Sequence, residues 1–80
     1  MKTIELKKKG VEELKNKMVD IADDLLGKSK EIYDIIEKYK FNDNGLYDLM
    51  IESGKNLVKT AGNLIMFYNN LTKSSLEKRE

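Results

Sequence analysis

Gly27-Lys28-Ser29 has the residue types that close a phosphate-binding loop, where glycine-rich backbone N–H groups wrap a phosphate between a strand and a helix. Such a loop needs a glycine five positions before Gly27, but Ala22 stands there and no strand pattern precedes it. The triplet therefore reads as a chance match inside a helix. Asp20, Asp23 and Asp24 put three carboxylates within one helical turn, with Glu12 and Glu13 two to three turns earlier. Helical bundles that hold paired metals combine such carboxylates with Glu-x-x-His pairs, and this chain has no histidine. The acidic residues also flank an apolar seam, as a solvated face does, so no metal site is expected. Lys7, Lys8 and Lys9, followed by Lys15 and Lys17, make a basic cluster, but Glu5, Glu12 and Glu13 interleave with it and cancel much of its field. Arg79 is the only arginine, so the bidentate fork that reads guanine edges or grips phosphate is missing from the folded part. Around Ser53-Gly54-Lys55 the apolar period runs on unbroken, unlike the turn of a helix-turn-helix. These features argue against a nucleic-acid partner.

What is missing narrows the chemistry further. Cysteine, histidine, proline and tryptophan are all absent, which excludes a disulfide framework, a zinc finger, a histidine general base and a cysteine nucleophile. General acid–base work would fall to carboxylates and lysines on wet helix faces, so no catalytic residue, cofactor or small-molecule substrate is expected. Charged residues make up 36% of the chain, yet 15 basic against 14 acidic side chains leave a net charge of only +1, so charge mostly solubilises. After Lys2 come Glu5 and Lys7 to Lys9, without the apolar run of a signal peptide, and the cytoplasm is the expected compartment. The longest apolar run, Leu64 to Tyr68, is far shorter than the roughly 20 residues that span a bilayer.

The elements are written in the apolar spacing. Ile4, Val11, Met18, Leu25, Ile32 and Tyr39 recur seven apart, with Leu14, Ile21 and Ile35 at intervening positions, which predicts one amphipathic helix from about residue 3 to 40. Gly27 is the place for a break, and a three-helix bundle interrupted there is the alternative. Phe41-Asn42-Asp43-Asn44-Gly45 gathers residues that cap helices or tolerate left-handed backbone, so it is the expected turn. Tyr47, Met50, Ile51, Leu57, Val58, Ala61, Leu64, Ile65, Tyr68 and Leu71 then mark a second helix from about 45 to 73. Beyond it, about 73 to 80 should fray, with Leu76 its one apolar anchor. The fold class is all-α, an antiparallel hairpin in a single domain of 80 residues. The turn sets Ile32 and Tyr33 against Gly54, and Leu25 and Leu26 against Ala61, large against small.

A hairpin has one internal contact face, and both apolar stripes are wider than that. On an ideal wheel Leu49 and Phe67 lie on one flank of the second helix and Ile51, Val58 and Ile65 on the other, so only one flank should face the first helix. Each large side chain left wet forgoes roughly 1.5 to 3 kcal/mol. Association is the remedy: dimerisation to a four-helix bundle, or docking on another protein. The expected interface residues are Leu26, Tyr33, Leu49, Val58, Ile65, Phe67 and Tyr68, because they combine large apolar or aromatic bodies with positions at the stripe edges.

With a turn of Asn42-Asp43-Asn44-Gly45 between two helices of this length, the chain resembles the small helical hairpins of type VII secretion. The tryptophan-glycine turn of that family is absent, and the one Tyr-x-x-x-Glu, Tyr33 to Glu37, lies inside the first helix rather than at the C-terminus. A lysine-rich helical chain of this size also resembles bacteriocin immunity proteins, which are small antiparallel bundles. The functional expectation is a non-enzymatic interaction module, such as a small phage- or plasmid-type regulator or inhibitor, whose partner is a protein or a second copy. The alternatives are an immunity or membrane-peripheral protein, using the apolar flank around Ile65 to Phe67 on a membrane surface, or a type VII-like hairpin partner.

Overall fold

Helix α1 spans Lys8–Lys38 without interruption and α2 spans Asn44–Asn70, the two packing as an antiparallel hairpin. The computed structural model describes residues 3–5, 8–71 and 77–79. Short strands β1 (Thr3–Glu5) and β2 (Glu77–Arg79) pair antiparallel, Thr3 with Arg79 and Glu5 with Glu77, and so bring the two ends of the chain together. A two-stranded ribbon is marginal alone, so the helices carry the fold.

Several expectations change at the ends. Ile4 keeps heptad phase with Val11, yet it pairs with Lys78 in the ribbon and the helix begins only at Lys8. Thr3 and Ile4 are β-branched, and the first turn of a helix has no hydrogen bonds on its N–H groups to hold it, so a strand partner wins there. Glu77–Arg79, expected to fray, is the other half of that pair; the rest of the expected frayed segment, 73–76 and 80, lies outside the described residues.

Gly27 does not break α1, so the three-helix alternative is not adopted. A Cβ at Gly27 would meet nothing within 4 Å, which places the glycine on the outer surface. Keeping the helix intact there costs about 1 kcal/mol of propensity, less than interrupting a seam that runs past it on both sides.

The turn is built on Asp43 rather than on left-handed backbone. Asp43 is extended (φ −111°, ψ 115°), and its Oδ1 accepts from the backbone N–H of Gly45 (2.8 Å) and Leu46 (3.2 Å), capping α2. No described residue has positive φ. Gly45 serves instead by its size, since a Cβ there would lie 3.1 Å from that capping oxygen. Phe41 and Tyr47 meet edge to face across the cap, ring centroids 5.9 Å apart, much as a hydrophobic staple clasps a helix start.

Candidate interaction surface

The seam between the helices is a heptad ladder on each. Along α1 it runs through Val11, Lys15, Met18, Ala22, Leu25, Ser29, Ile32 and Ile36, and along α2 through Met50, Gly54, Leu57, Ala61, Leu64, Tyr68 and Leu71, all buried or half-buried. Two contacts set the register. The Ser29 hydroxyl donates to the Gly54 carbonyl oxygen at 3.0 Å, and Lys15 Nζ lies 5.0 Å from the centroid of the Tyr68 ring. Ala22 and Ala61, midway between these contacts on their own helices, therefore stand level, and each is only 1% exposed.

By this register Ala61 stands level with Ala22, and small against small lets the backbones close in until a serine hydroxyl can reach across. Tyr33 lies against Gly54 as expected, where a Cβ would come within 2.9 Å of the ring. The seam does correct one expectation: neither flank of α2 faces α1, because the seam runs between them, and Val58, Ile65 and Phe67 all stay exposed. On α1 the intervening seam positions are Ala22, Ser29 and Ile36, while Ile21 and Ile35 are 45% and 42% exposed on a flank.

Because like flanks of antiparallel helices share a side, the hairpin has two outer faces. On one, Val19, Leu26 and Tyr33 of α1 run beside Ile51, Val58 and Ile65 of α2, three tiers of apolar side chains with no polar residue among them. Leu26 and Val58, which form the middle tier, are 44% and 45% exposed. The opposite face carries Leu14, Ile21 and Ile35 with Leu46 and Phe67, but its middle is polar. There Lys28 pairs with Glu31 at 3.2 Å, and the hydroxyls of Ser53 and Thr60 donate back to the carbonyls of Leu49 and Asn56. The first face is the continuous one.

The expected interface residues are thus divided. Leu26, Tyr33, Val58 and Ile65 share the continuous face; Phe67 lies on the opposite face; Tyr68 belongs to the seam under Lys15; and Leu49 points outward, away from α1. Val19 and Ile51 complete the face: Ile51 shares the flank of Val58 and Ile65 read from the sequence, whereas Val19, seven residues before Leu26, is not singled out there. The residues with chemical potential are occupied otherwise. Ser29 is 2% exposed and its hydroxyl is engaged by Gly54. Asp20, Asp23 and Asp24 are exposed, and among the described residues no three His, Cys, Asp or Glu side chains converge as a metal cage requires. Among the same residues no helix is long and apolar enough to cross a membrane. No family model matches the chain, and no curated protein or solved structure matches it.

Proposed function

We propose that the protein is a non-enzymatic interaction module that works by laying the face centred on Leu26 and Val58 against another helical surface. One observation carries this reading: three apolar tiers, unbroken by any polar side chain, remain partly exposed on a rod stabilised by a narrow seam of its own. Contiguous apolar patches on soluble chains mark interaction sites. The spacing speaks for helices as the counterpart, since Val19-Leu26-Tyr33 and Ile51-Val58-Ile65 recur every seven residues and form ridges that fit between ridges of the same kind. A small regulator or inhibitor acting in the cytoplasm is the biological role this reading suits, because it asks for a binding surface and no chemistry.

Site-specific photo-crosslinking in cells tests it. A benzophenone side chain at position 26 or 58 should form covalent protein adducts, whereas the same group at Asn56, on the outer surface of α2, should form few. Equal adduct yields at all three positions, or none at 26 and 58, would overturn the assignment of this face.

A further inference from the structure

We infer that the occupant of this face is a second copy of the chain, docked so that each α1 lies antiparallel along its counterpart with Leu26 at the two-fold axis. The inference rests on the interaction-module reading and adds the identity and register of the partner.

Surface area is the first argument. A compact monomer of 9.3 kDa exposes about 5,000 Å², whereas this rod of 54 × 23 × 19 Å exposes 6557 Å². The excess is more than the roughly 800 Å² per partner that a standard interface covers.

Symmetry is the second. The apolar strip has the same number of residues on either side of Leu26 on α1 and of Val58 on α2. A two-fold axis through that tier and across the helices lays Val19 on Tyr33 and Ile51 on Ile65 of the other copy, while one along the helices lays α1 on α2, and in both arrangements apolar side chains meet apolar ones.

Charge at the rim decides between the two arrangements that this symmetry allows. Bordering the strip on α1 are Asn16, Asp23, Lys30 and Glu37, and on α2 Asp48 and Lys55 with Gly62 and Asn69. With α1 on α1, Asp23 comes beside Lys30 of the second copy, twice by symmetry, and Glu37 beside Asn16; on α2, Lys55 comes beside Gly62 and Asp48 beside Asn69. With α1 on α2, Lys30 meets Lys55 and Glu37 meets Asp48. The first arrangement pairs opposite charges and the second pairs like ones.

Sedimentation equilibrium on the full chain tests this directly. A mass of twice 9.3 kDa is expected at micromolar concentration. Leu26→Lys should raise the dissociation constant by about a hundredfold or more, since it places two charges at the dry centre. Helicity by circular dichroism should hold, because Leu26 is 44% exposed in the single chain. Should that variant unfold, the rim still decides. Lys30→Asp and Asp23→Lys should each weaken the dimer about threefold to tenfold, and the doubly reversed chain should return to the parent affinity. A chain that stays monomeric up to about 100 µM, far above the Kd of even a modest interface, overturns the inference. If position 26 still crosslinks to other proteins in that case, the module reading stands without it. Tightening by Lys30→Asp also overturns it, in favour of α1 on α2. So does a rim indifferent to every charge change.

Discussion

Gly54 and Tyr33 show how one missing methyl group places an aromatic ring. Glycine inside a helix costs about 1 kcal/mol relative to alanine, but a Cβ at position 54 would lie 2.9 Å from Cε2 and Cζ of Tyr33, closer than carbon atoms tolerate. The ring is half-buried and belongs to a tier of the candidate face, so pushing it aside disturbs both packing and surface. Gly54→Ala should therefore destabilise the protein by about 1 kcal/mol despite its better helix propensity. In a Tyr33→Ala background the obstacle is gone, and the same substitution should stabilise by up to about 1 kcal/mol. Urea unfolding of the four proteins at one fixed concentration gives the coupling. Stabilisation by Gly54→Ala in both backgrounds would mean that the ring moves at no cost. The Tyr33–Gly54 contact is readable in the sequence, because the turn fixes which residues stand opposite and a lone glycine invites a large neighbour. Ser29 is not. A hydroxyl in an apolar ladder resembles an accident until the backbones are close enough for it to reach the Gly54 carbonyl oxygen.

Each helix is an apolar stripe wider than its contact, and the stripe's period locates it without saying which edge turns inward. That is why both helices, the Asp43 turn and the Val11-Met18-Leu25-Ile32 ladder of the seam are legible in the sequence while the second ladder of α1 is not. Counting hydrophobicity favours Ile21 and Ile35 over Ala22 and Ser29, yet two backbones approach more closely over small residues, and the hairpin settles on that edge. The same choice leaves the large side chains outside. For the candidate face, the heptads through Leu26 and through Val58 are visible in the sequence, but their sharing of one side depends on where the seam runs. The ideal wheel already sets Phe67 and Leu49 on the flank opposite Val58 and Ile65, but without the seam it leaves open which of those flanks Leu26 and Tyr33 adjoin. Gly27 gives a test at this scale. It lies within α1, exposed, and a methyl group there would find nothing within 4 Å. Gly27→Ala should raise stability by about 0.5 to 1 kcal/mol through helix propensity alone, read as a higher urea midpoint at unchanged slope. Because the site lies away from the continuous face, association should not change. A loss of stability would instead mean that α1 needs a hinge at Gly27.

As a whole molecule the hairpin is a rod. Its radius of gyration is 17.6 Å, against about 12 Å for a compact chain of this length, and among the described residues the most fully buried side chains are the small ones of Ala22 and Ala61 at 1% and Ser29 at 2%, with Leu71 at 5% and Val11 at 7%. Small buried side chains contribute little transfer free energy each, so much of the available stabilisation lies in apolar surface that the single chain leaves wet. If two copies cover that surface, folding and association are linked, and the unfolding midpoint must depend on protein concentration. For a dimer, each tenfold rise in concentration adds about 1.4 kcal/mol per dimer. Divided by the unfolding entropy of two such chains, this predicts a rise in Tm of about 4 °C. The Leu26→Lys chain should melt at a lower temperature that does not change with concentration, because only its internal seam remains. A parent chain whose Tm is equally independent of concentration while its mass is that of a single chain would mean that the narrow seam suffices, and that the wet tiers are held open for a different protein.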